Sequence, residues 1–234
     1  MQKVYENEDF IIVNKPINVD FHGDDGVLNN LRQTDESLYG VHRLDKATSG
    51  LIIFAKSKSV QAELSQLFAS RSVTKYYLAI SENKPNKKMG SVVGDLEKGR
   101  GGSYFLKKSK HNPSETSFVS GYCESLKLRT FILKPRTGKT HQLRVVMKSL
   151  GAPILGDTRY GNQQEDRMYL HAFYLTFIFK ETPYQFDLYP NQGKYFVTDD
   201  IKQNFNELWN SNMTQSLLKN EDLVVNCFAN KKGS

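Results

Sequence analysis

The sequence has few of the residues that define disulfide-stabilised or zinc-binding proteins. Only two of its 234 residues are cysteines, Cys123 and Cys227, and they form no C-x-x-C pair. The five histidines are far apart, and none has the i, i+4 spacing of a zinc-binding helix. We therefore expect a cytoplasmic protein with free thiols and predict no metal site.

Long apolar runs are also missing from the chain. No stretch approaches the roughly 18 uninterrupted apolar residues that a membrane-spanning helix needs. The first nine residues carry acidic side chains where a signal peptide would carry an apolar segment. Neither membrane insertion nor secretion is expected. With 38% hydrophobic and 24% charged residues, the composition is typical of a globular protein.

Positive charge is abundant and unevenly placed. The net charge is +7, and residues 84–112 hold eight lysines and arginines against two acidic residues, a net of +6. A solvated basic surface is one explanation, but such a concentration in one glycine-rich segment favours binding to a polyanion. We predict a mobile basic loop that grips RNA backbone, with its contacts at Lys107, Lys108 and Lys110.

The hydrophobic pattern predicts many strands and few helices. Strands are predicted over residues 9–15, 51–55, 73–80, 116–123, 126–133, 170–180 and 184–189. Helices are predicted over residues 58–70, with Ser57 as the N-cap, and over residues 140–150, which Gly151 would end. Residues 17–40 are predicted to be loop with one short helix, and residues 81–113 to form a basic, glycine-rich insert. The pattern indicates the α+β class, with a largely antiparallel mixed sheet and flanking helices and loops.

The run Gly138-Lys139-Thr140 resembles the end of a nucleotide-binding P-loop. The full pattern needs a glycine five positions before Gly138, where Leu133 stands, so that kind of site is rejected. What remains is the start of a helix flanked by Arg136, Lys139 and His141. Such a helix end can bind one RNA phosphate, or it can be a solvated cap.

The segment from His42 to Leu51 holds the most informative pattern. Asp45 stands in a turn before a predicted buried strand, between Arg43 and Lys46. An aspartate in a turn is usually structural, because its carboxylate accepts backbone N–H groups. The residues around it decide between that reading and a catalytic one.

Residues 42–45 (HRLD) and 48–51 (TSGL) resemble the signature of the RluA-type pseudouridine synthases. Three further segments agree with that family in the same order. Residues 5–16 resemble its opening strand, with His22 after it, residues 75–79 (KYYLA) its K-x-Y-x-A strand, and residues 137–144 (TGKTHQLR) its T-G-R-T-H-Q-L/I-R helix start. Residues 150–161 and 170–172 also fit. The resemblance covers about residues 4–190.

The resemblance implies an enzyme that isomerises uridine in RNA without a metal or organic cofactor. The family cuts the N-glycosidic bond, turns the uracil and joins its C5 to the ribose. Asp45 is then the catalytic carboxylate, which either attacks C1′ or removes a sugar proton. Arg144 is expected to pair with Asp45 and keep it ionised in a water-poor pocket. Tyr77 is expected to stack on the uracil and take the C5 proton.

The remaining site residues are expected to bind RNA. The target base must leave its stack before the reaction, and Arg43 is the family's candidate for occupying the gap. An ion pair from Arg43 to Asp45 that only holds the turn is the alternative. His42, Arg136, Lys139 and His141 are the other expected RNA contacts. The partner implied is a stem-loop of rRNA or tRNA, and a monomer is expected.

Two domain-level expectations follow. Residues 1–195 are expected to form the catalytic domain, with 84–112 as its RNA-gripping insert. Residues 196–234 are expected to form a polar C-terminal extension, with an amphipathic helix near 205–218. A non-catalytic RNA-binding or RNA-chaperone protein on the same fold is the alternative function, although binding alone would not need Asp45, Tyr77 and Arg144.

Overall fold

The computed structural model describes residues 1–21, 23, 26–32, 38–161 and 164–218. His22 lies outside the described residues, and so do residues 219–234, which include Cys227. The strands are β1 (Gln2–Glu6), β2 (Phe10–Lys15), β3 (Tyr39–Gly40), β4 (Ser49–Ala55), β5 (Thr74–Ser81), β6 (Met89–Lys98), β7 (Tyr104–Lys107), β8 (Pro113–Cys123), β9 (Leu128–Pro135), β10 (Leu170–Phe179) and β11 (Thr182–Asp187). The helices are α1 (Val27–Arg32), α2 (Lys58–Ala69), α3 (Gln142–Ser149), α4 (Asp199–Asn210) and α5 (Asn212–Leu218).

These strands form one sheet of eleven. Its main order is β1-β2-β4-β10-β5-β9-β8-β6-β7, while β11 pairs with β10 and β3 with β4 beside this path. Neighbouring strands are antiparallel except for β4 and β10, which are parallel. The predicted α+β class with a largely antiparallel mixed sheet is confirmed.

The parallel pair brings two backbones very close together. A Cβ atom added to Gly50 would lie 2.2 Å from the carbonyl oxygen of Ala172. The φ of Gly50 is also +115°, in a region that side chains disfavour. Only glycine fits this position, and it fixes β4 against β10 directly after the loop that carries Asp45.

The two predicted helices are confirmed. Ser57 caps α2, because its Oγ accepts the backbone N–H of Val60 at 3.2 Å. The buried face of α2 carries Val60 and Leu64. Gly151 follows α3 with a φ of +76°, as a helix stop requires. None of the described helices is long and apolar enough to cross a membrane.

The predicted mobile loop over residues 84–112 is wrong in its central part, where two strands are present. β6 and β7 pair antiparallel over Asp95–Lys98 and Tyr104–Lys107, and β6 also pairs with β8. Glycines and lysines disfavour strands, so local propensity hides this hairpin, whose strands are stabilised by pairing with the rest of the sheet. The basic segment is therefore mostly a β-hairpin at the edge of the sheet.

The segment after residue 195 contributes to the core as far as it is described. Phe196, Ile201, Phe205 and Trp209 are buried. The helix α4 packs on β8 and β9. Each such apolar side chain contributes about 1.5–3 kcal/mol when fully buried. The predicted polar extension thus begins with apolar residues that pack against the sheet. In place of the one amphipathic helix predicted near 205–218, the structure has two helices, α4 and α5.

Candidate active site

Asp45 lies in the loop that leads into β4, and two contacts hold this loop. The backbone N–H of Thr48 donates to the carbonyl oxygen of Asp45 at 3.0 Å, which closes a tight turn. The buried Lys15 ammonium donates to three backbone carbonyl oxygens at 2.8–2.9 Å, including that of Lys46. Because a buried ammonium must satisfy its hydrogens, Lys15 ties the Asp45 loop to the end of β2.

Asp45, Tyr77 and Arg144 line one cavity of about 500 Å³. They come from the loop before β4, from β5 and from α3. In the sheet, Tyr77 pairs with Ala172, which in turn faces Gly50 of β4. The three elements therefore converge at one end of the parallel pair. The cavity has a size typical of small-molecule sites and can hold a nucleotide.

Arg144 is held by two carboxylates. Its Nε and one terminal nitrogen each donate to Asp157 at 2.8 Å, and the other terminal nitrogen lies 3.7 Å from Asp45 Oδ2. The predicted pairing with Asp45 is confirmed by this distance, but the bidentate partner is Asp157. Burial lowers the pKa of Arg144, and the hydrogen bond and charge of Asp157 more than reverse that effect, so the pKa is raised. The guanidinium is a fixed positive charge beside Asp45.

Tyr77 is a half-buried phenol on the cavity wall. Burial, and then the negative charge of Asp45, raise the pKa of Tyr77. Both effects disfavour the phenolate form. At neutral pH the side chain therefore presents an aromatic face and a neutral hydroxyl to the cavity.

The start of α3 is organised by the Gln142 side chain. Its Oε1 accepts from the Thr137 hydroxyl at 2.7 Å and from the Lys139 backbone N–H at 3.0 Å. His141 takes a left-handed backbone (φ 57°), and its Nδ1 lies 2.9 Å from the Tyr160 hydroxyl. Burial is the largest cause that lowers the pKa of His141. Thr137 to His141 thus form an ordered wall of the cavity.

Arg136 and Lys139 are the two cations of this wall. Arg136 is exposed and lies 3.6 Å from Glu115, and the Lys139 ammonium donates to the Asn112 carbonyl. Both line the cavity, as the sequence predicts for a phosphate-binding helix start. Whether they contact RNA stays a prediction.

The sequence around these residues matches a known family. The model of that family, described as RNA pseudouridylate synthase, matches residues 9–149. The chain belongs to the RNA pseudouridylate synthase family. It is therefore an isomerase that acts on RNA, as its relatives also indicate.

Relatives and solved structures agree with this assignment. A protein of Haemophilus influenzae described as an uncharacterized RNA pseudouridine synthase is 45% identical over 86% of this chain and 92% of its own length. Ribosomal large subunit pseudouridine synthase C of Rickettsia bellii is 35% identical over 72% of this chain and 61% of its own length. The structure of Human RNA Pseudouridylate Synthase Domain Containing 1 superposes with a TM-score of 0.69 at 29% identity, covering 81% of this chain and 83% of that one.

In this synthase, Arg43 is exposed and lies between two cavities. It lines the cavity already described and a second one of about 590 Å³, as do Asp45 and Arg144. Arg43 makes no ion pair with any residue in the described part of the chain. In this structure Arg43 therefore does not form the ion pair with Asp45 that would hold the turn.

His42 is engaged in contacts with the fold. Its Nε2 accepts the backbone N–H of Ile53 at 3.2 Å, and its ring stacks on Phe68 with centroids 4.4 Å apart. Burial, and then the charge of Lys75, lower the pKa of His42 to about 3. The neutral imidazole holds the start of the catalytic loop against β4 and α2. Its predicted RNA contact would come in addition to that role.

The predicted RNA contacts at Lys107, Lys108 and Lys110 lie outside the cavity. All three are exposed on or just after β7, and Lys107 forms an ion pair with Glu97 at 2.6 Å. The hairpin still reaches the site through its tip, because the backbone N–H of Tyr104 donates to the Tyr160 hydroxyl at 2.8 Å. The hairpin is therefore anchored beside the catalytic wall.

Three residues that help to build this site were not predicted from the sequence: Asp157, Lys15 and Arg167. The buried Arg167 donates to the Ser49 hydroxyl at 2.6 Å and to several backbone carbonyls. Asp157 stands in the segment 150–161 that resembles the family, which was a usable signal. Among the described residues, no group of three or more His, Cys, Asp or Glu side chains could hold a metal ion.

Proposed function

We propose that this synthase isomerises one uridine of structured ribosomal RNA, with Asp45 as the catalytic carboxylate. The proposal rests on the observation that Asp45, Tyr77 and Arg144 line one cavity large enough for a nucleotide. Relatives named ribosomal large subunit pseudouridine synthase C favour rRNA over tRNA as the substrate. We further propose that the protein acts as a monomer in the cytoplasm.

The reaction breaks the bond between uracil N1 and ribose C1′ and forms one between C5 and C1′. Asp45 either attacks C1′ or removes a proton from the ribose, and both routes need its ionised form. Glycosidases use two carboxyl groups, one to protonate a departing group. Here the uracil is retained, so one carboxylate is sufficient. The proton on C5 must leave, and N1 must gain one, for the product to be an isomer.

Arg144 supports this chemistry by position. Its guanidinium lies 3.7 Å from Asp45, and Asp157 fixes its orientation before substrate arrives. A preorganised positive charge stabilises the ionised carboxylate without any rearrangement during the reaction. We assign Arg144 to that electrostatic role.

Tyr77 is proposed to hold the uracil ring. The resemblance also suggests that it takes the C5 proton. A tyrosine phenol is protonated at neutral pH, and the burial and Asp45 charge that raise the pKa of Tyr77 disfavour the phenolate further. A neutral phenol is a weak base. Its aromatic face can stack on the base and keep it in the cavity while the uracil rotates. The environment therefore favours the stacking role over the proton-accepting one.

The test is the Asp45→Asn substitution, which keeps the shape of the side chain and removes its charge. Release of tritium from 5-tritiated uridine in ribosomal RNA should fall to background, while RNA binding should survive. Asp199→Asn is the matched control, because Asp199 is an exposed carboxylate at the start of α4 that does not line the cavity. Near-normal tritium release by Asp45→Asn would overturn the proposal.

A further inference from the structure

The end of α2 and the start of β5 build one wall of the catalytic cavity. Phe68, Ala69, Arg71 and Lys75 line it there. Six of the residues that line the whole cavity are lysines or arginines. Asp45 is the only acidic residue among these described lining residues. Arg144 is already committed to Asp157. The reaction as derived above uses neither Arg71 nor Lys75.

Lys75 is a half-buried cation that pairs with no anion in the described part of the chain. Its ammonium lies 5.3 Å from the centre of the Phe68 ring, and it makes no ion pair with any described residue. Burial lowers the pKa of Lys75 to about 8. Burial thus disfavours the charged form of Lys75, and no described carboxylate forms an ion pair that would stabilise it.

Arg71 stands in a backbone conformation that suits glycine better. It follows the end of α2 with a φ of +62°, and the Ser72 N–H donates to the Leu67 carbonyl at 2.9 Å. This is the helix-ending arrangement in which glycine is the usual residue at the left-handed position. An arginine there strains the backbone, while its exposed side chain lines the cavity.

We propose that Lys75 and Arg71 form a phosphate subsite, which binds the RNA backbone beside the nucleotide held in the cavity. Both cations line the same wall of the cavity, and an anion bound there would supply the partner that Lys75 lacks among the described residues. The backbone phosphate is the anion that an RNA substrate brings. A neutral uracil carbonyl could satisfy one ammonium but would not need the second cation. The choice of ligand rests on the proposed function.

The test measures binding without turnover. Uridine, uridine 5′-monophosphate and uridine 3′-monophosphate are titrated into the full chain at low salt, and their dissociation constants are compared by NMR. One monophosphate should bind about tenfold tighter than uridine, the effect of one charge-assisted hydrogen bond. Lys75→Met and Arg71→Gly should each remove most of that gain and leave uridine binding unchanged. Lys58→Met is the control, because Lys58 is exposed at the other end of α2.

Protein stability supplies a second readout. Lys75→Met removes a half-buried charge that has no ion-pair partner among the described residues, and Arg71→Gly relieves a strained φ. Neither substitution should therefore lower the thermal midpoint. A variant that loses the affinity gained from the phosphate but keeps or raises its thermal midpoint supports the subsite. A variant that merely unfolds would lose both the affinity gain and the thermal midpoint.

Three results would overturn the subsite. One is a wild type that gains no affinity from either phosphate. Another is that Lys75→Met and Arg71→Gly both keep the affinity gained from the phosphate. The third is that the variants lose as much affinity for uridine as for the monophosphate, which would assign Lys75 to binding the base. None of these involves tritium release, so the subsite and the proposed function fail separately.

Discussion

Asp157 uses one edge of the Arg144 guanidinium and leaves the other edge for Asp45. The side chain of Asp157 is fully buried, and its Oδ1 also accepts the backbone N–H groups of Arg159 and Tyr160 at 3.0 and 3.1 Å. Asp157 is therefore fixed by the loop that carries it. The fixed carboxylate in turn sets the direction in which Arg144 points.

Replacing Asp157 by asparagine should damage both stability and catalysis. The substitution removes the bidentate charge partner of the buried guanidinium and leaves only the more distant Asp45. This should lower the free energy of unfolding by about 3–5 kcal/mol. With Arg144 free to turn, the single-turnover rate should fall roughly tenfold or more, an effect of at least about 1.4 kcal/mol on the barrier. RNA affinity should change little. Urea unfolding, single-turnover tritium release and RNA binding measure the three effects.

Glu115→Gln is the matched control for Asp157→Asn. Glu115 also faces an arginine of the cavity wall, Arg136, at 3.6 Å, but that pair is much more exposed. Exposed pairs contribute about 0–1 kcal/mol, so stability and turnover should barely change. Equal losses in the two variants would contradict the positioning role of Asp157.

Arg43 can be tested through the structure of the RNA. A guanidinium stacks on bases and hydrogen-bonds in its own plane, whereas an ammonium does not stack in that way. If Arg43 fills the space of the extruded uridine, Arg43→Lys should be slow on a stem-loop and partly restored on an RNA whose uridine is already unstacked. Tritium release from the two RNAs measures this. Equal loss on both, with normal thermal stability, would rule out base flipping by Arg43.

At the level of elements, the β6–β7 hairpin joins the basic segment to the site. Its tip is anchored to Tyr160, and its outer strand β7 ends in a run of exposed lysines. Lysines on an edge strand also prevent pairing with other chains, which is a structural reason for their presence. RNA binding by the hairpin therefore needs its own test.

Neutralising Lys107, Lys108 and Lys110 together should flatten the salt dependence of RNA affinity. Each phosphate contact contributes roughly 0.7–0.9 to the slope of log K against log salt, because bound counterions are released. Three lost contacts should reduce the slope by about 2. A variant that neutralises three lysines remote from the hairpin, Lys3, Lys58 and Lys202, has the same net charge and should keep the slope. Equal slopes for both triple variants would count against the hairpin as an RNA contact.

For the whole molecule, periodic patterns made the regular elements predictable. The helix α2 has its N-cap and its apolar face in one continuous stretch, and α3 is directly followed by the glycine that ends it. The resemblance singled out Asp45, Tyr77 and Arg144 from distant segments, and the fold brings them together in one cavity. Their roles in the reaction stay predictions.

What the sequence did not predict depends on contacts between distant segments. Asp157 is one aspartate in a loop, and nothing local shows that it faces Arg144. In α4, Ile201, Phe205, Leu208 and Trp209 share one face, but the many polar residues between them suggested an extension. The β6–β7 hairpin has weak strand propensity and is fixed by its pairing with β8. In each case the deciding interaction joins residues that no local pattern connects.

Two neutral histidines make the stability of the whole fold depend on pH. His171 lies in the core, where its Nε2 donates to the Leu188 carbonyl at 2.9 Å and its Nδ1 accepts from the Ser49 hydroxyl at 2.7 Å. Burial is the largest cause that lowers the pKa of His171 to about 3, as for His42, from an ordinary value of 6.5. Protonating Nδ1 would remove the acceptor that Ser49 uses.

Stability should therefore fall as the pH drops below about 6.5. Between pH 6.5 and 3 the unfolded chain binds protons at both positions that the folded protein does not, so acid favours unfolding. Once the unfolded chain is fully protonated, each histidine changes the free energy of unfolding by about 1.4 kcal/mol per pH unit. Because the unfolded histidines are only half protonated at pH 6.5, the two together should cost about 3 kcal/mol between pH 6.5 and 5. Urea unfolding at these pH values measures the loss. His171→Gln should roughly halve the loss, while His111→Gln, at an exposed position, should leave it unchanged. A free energy of unfolding that stays constant from pH 6.5 to 5 would show that the two histidines accept protons in the folded state.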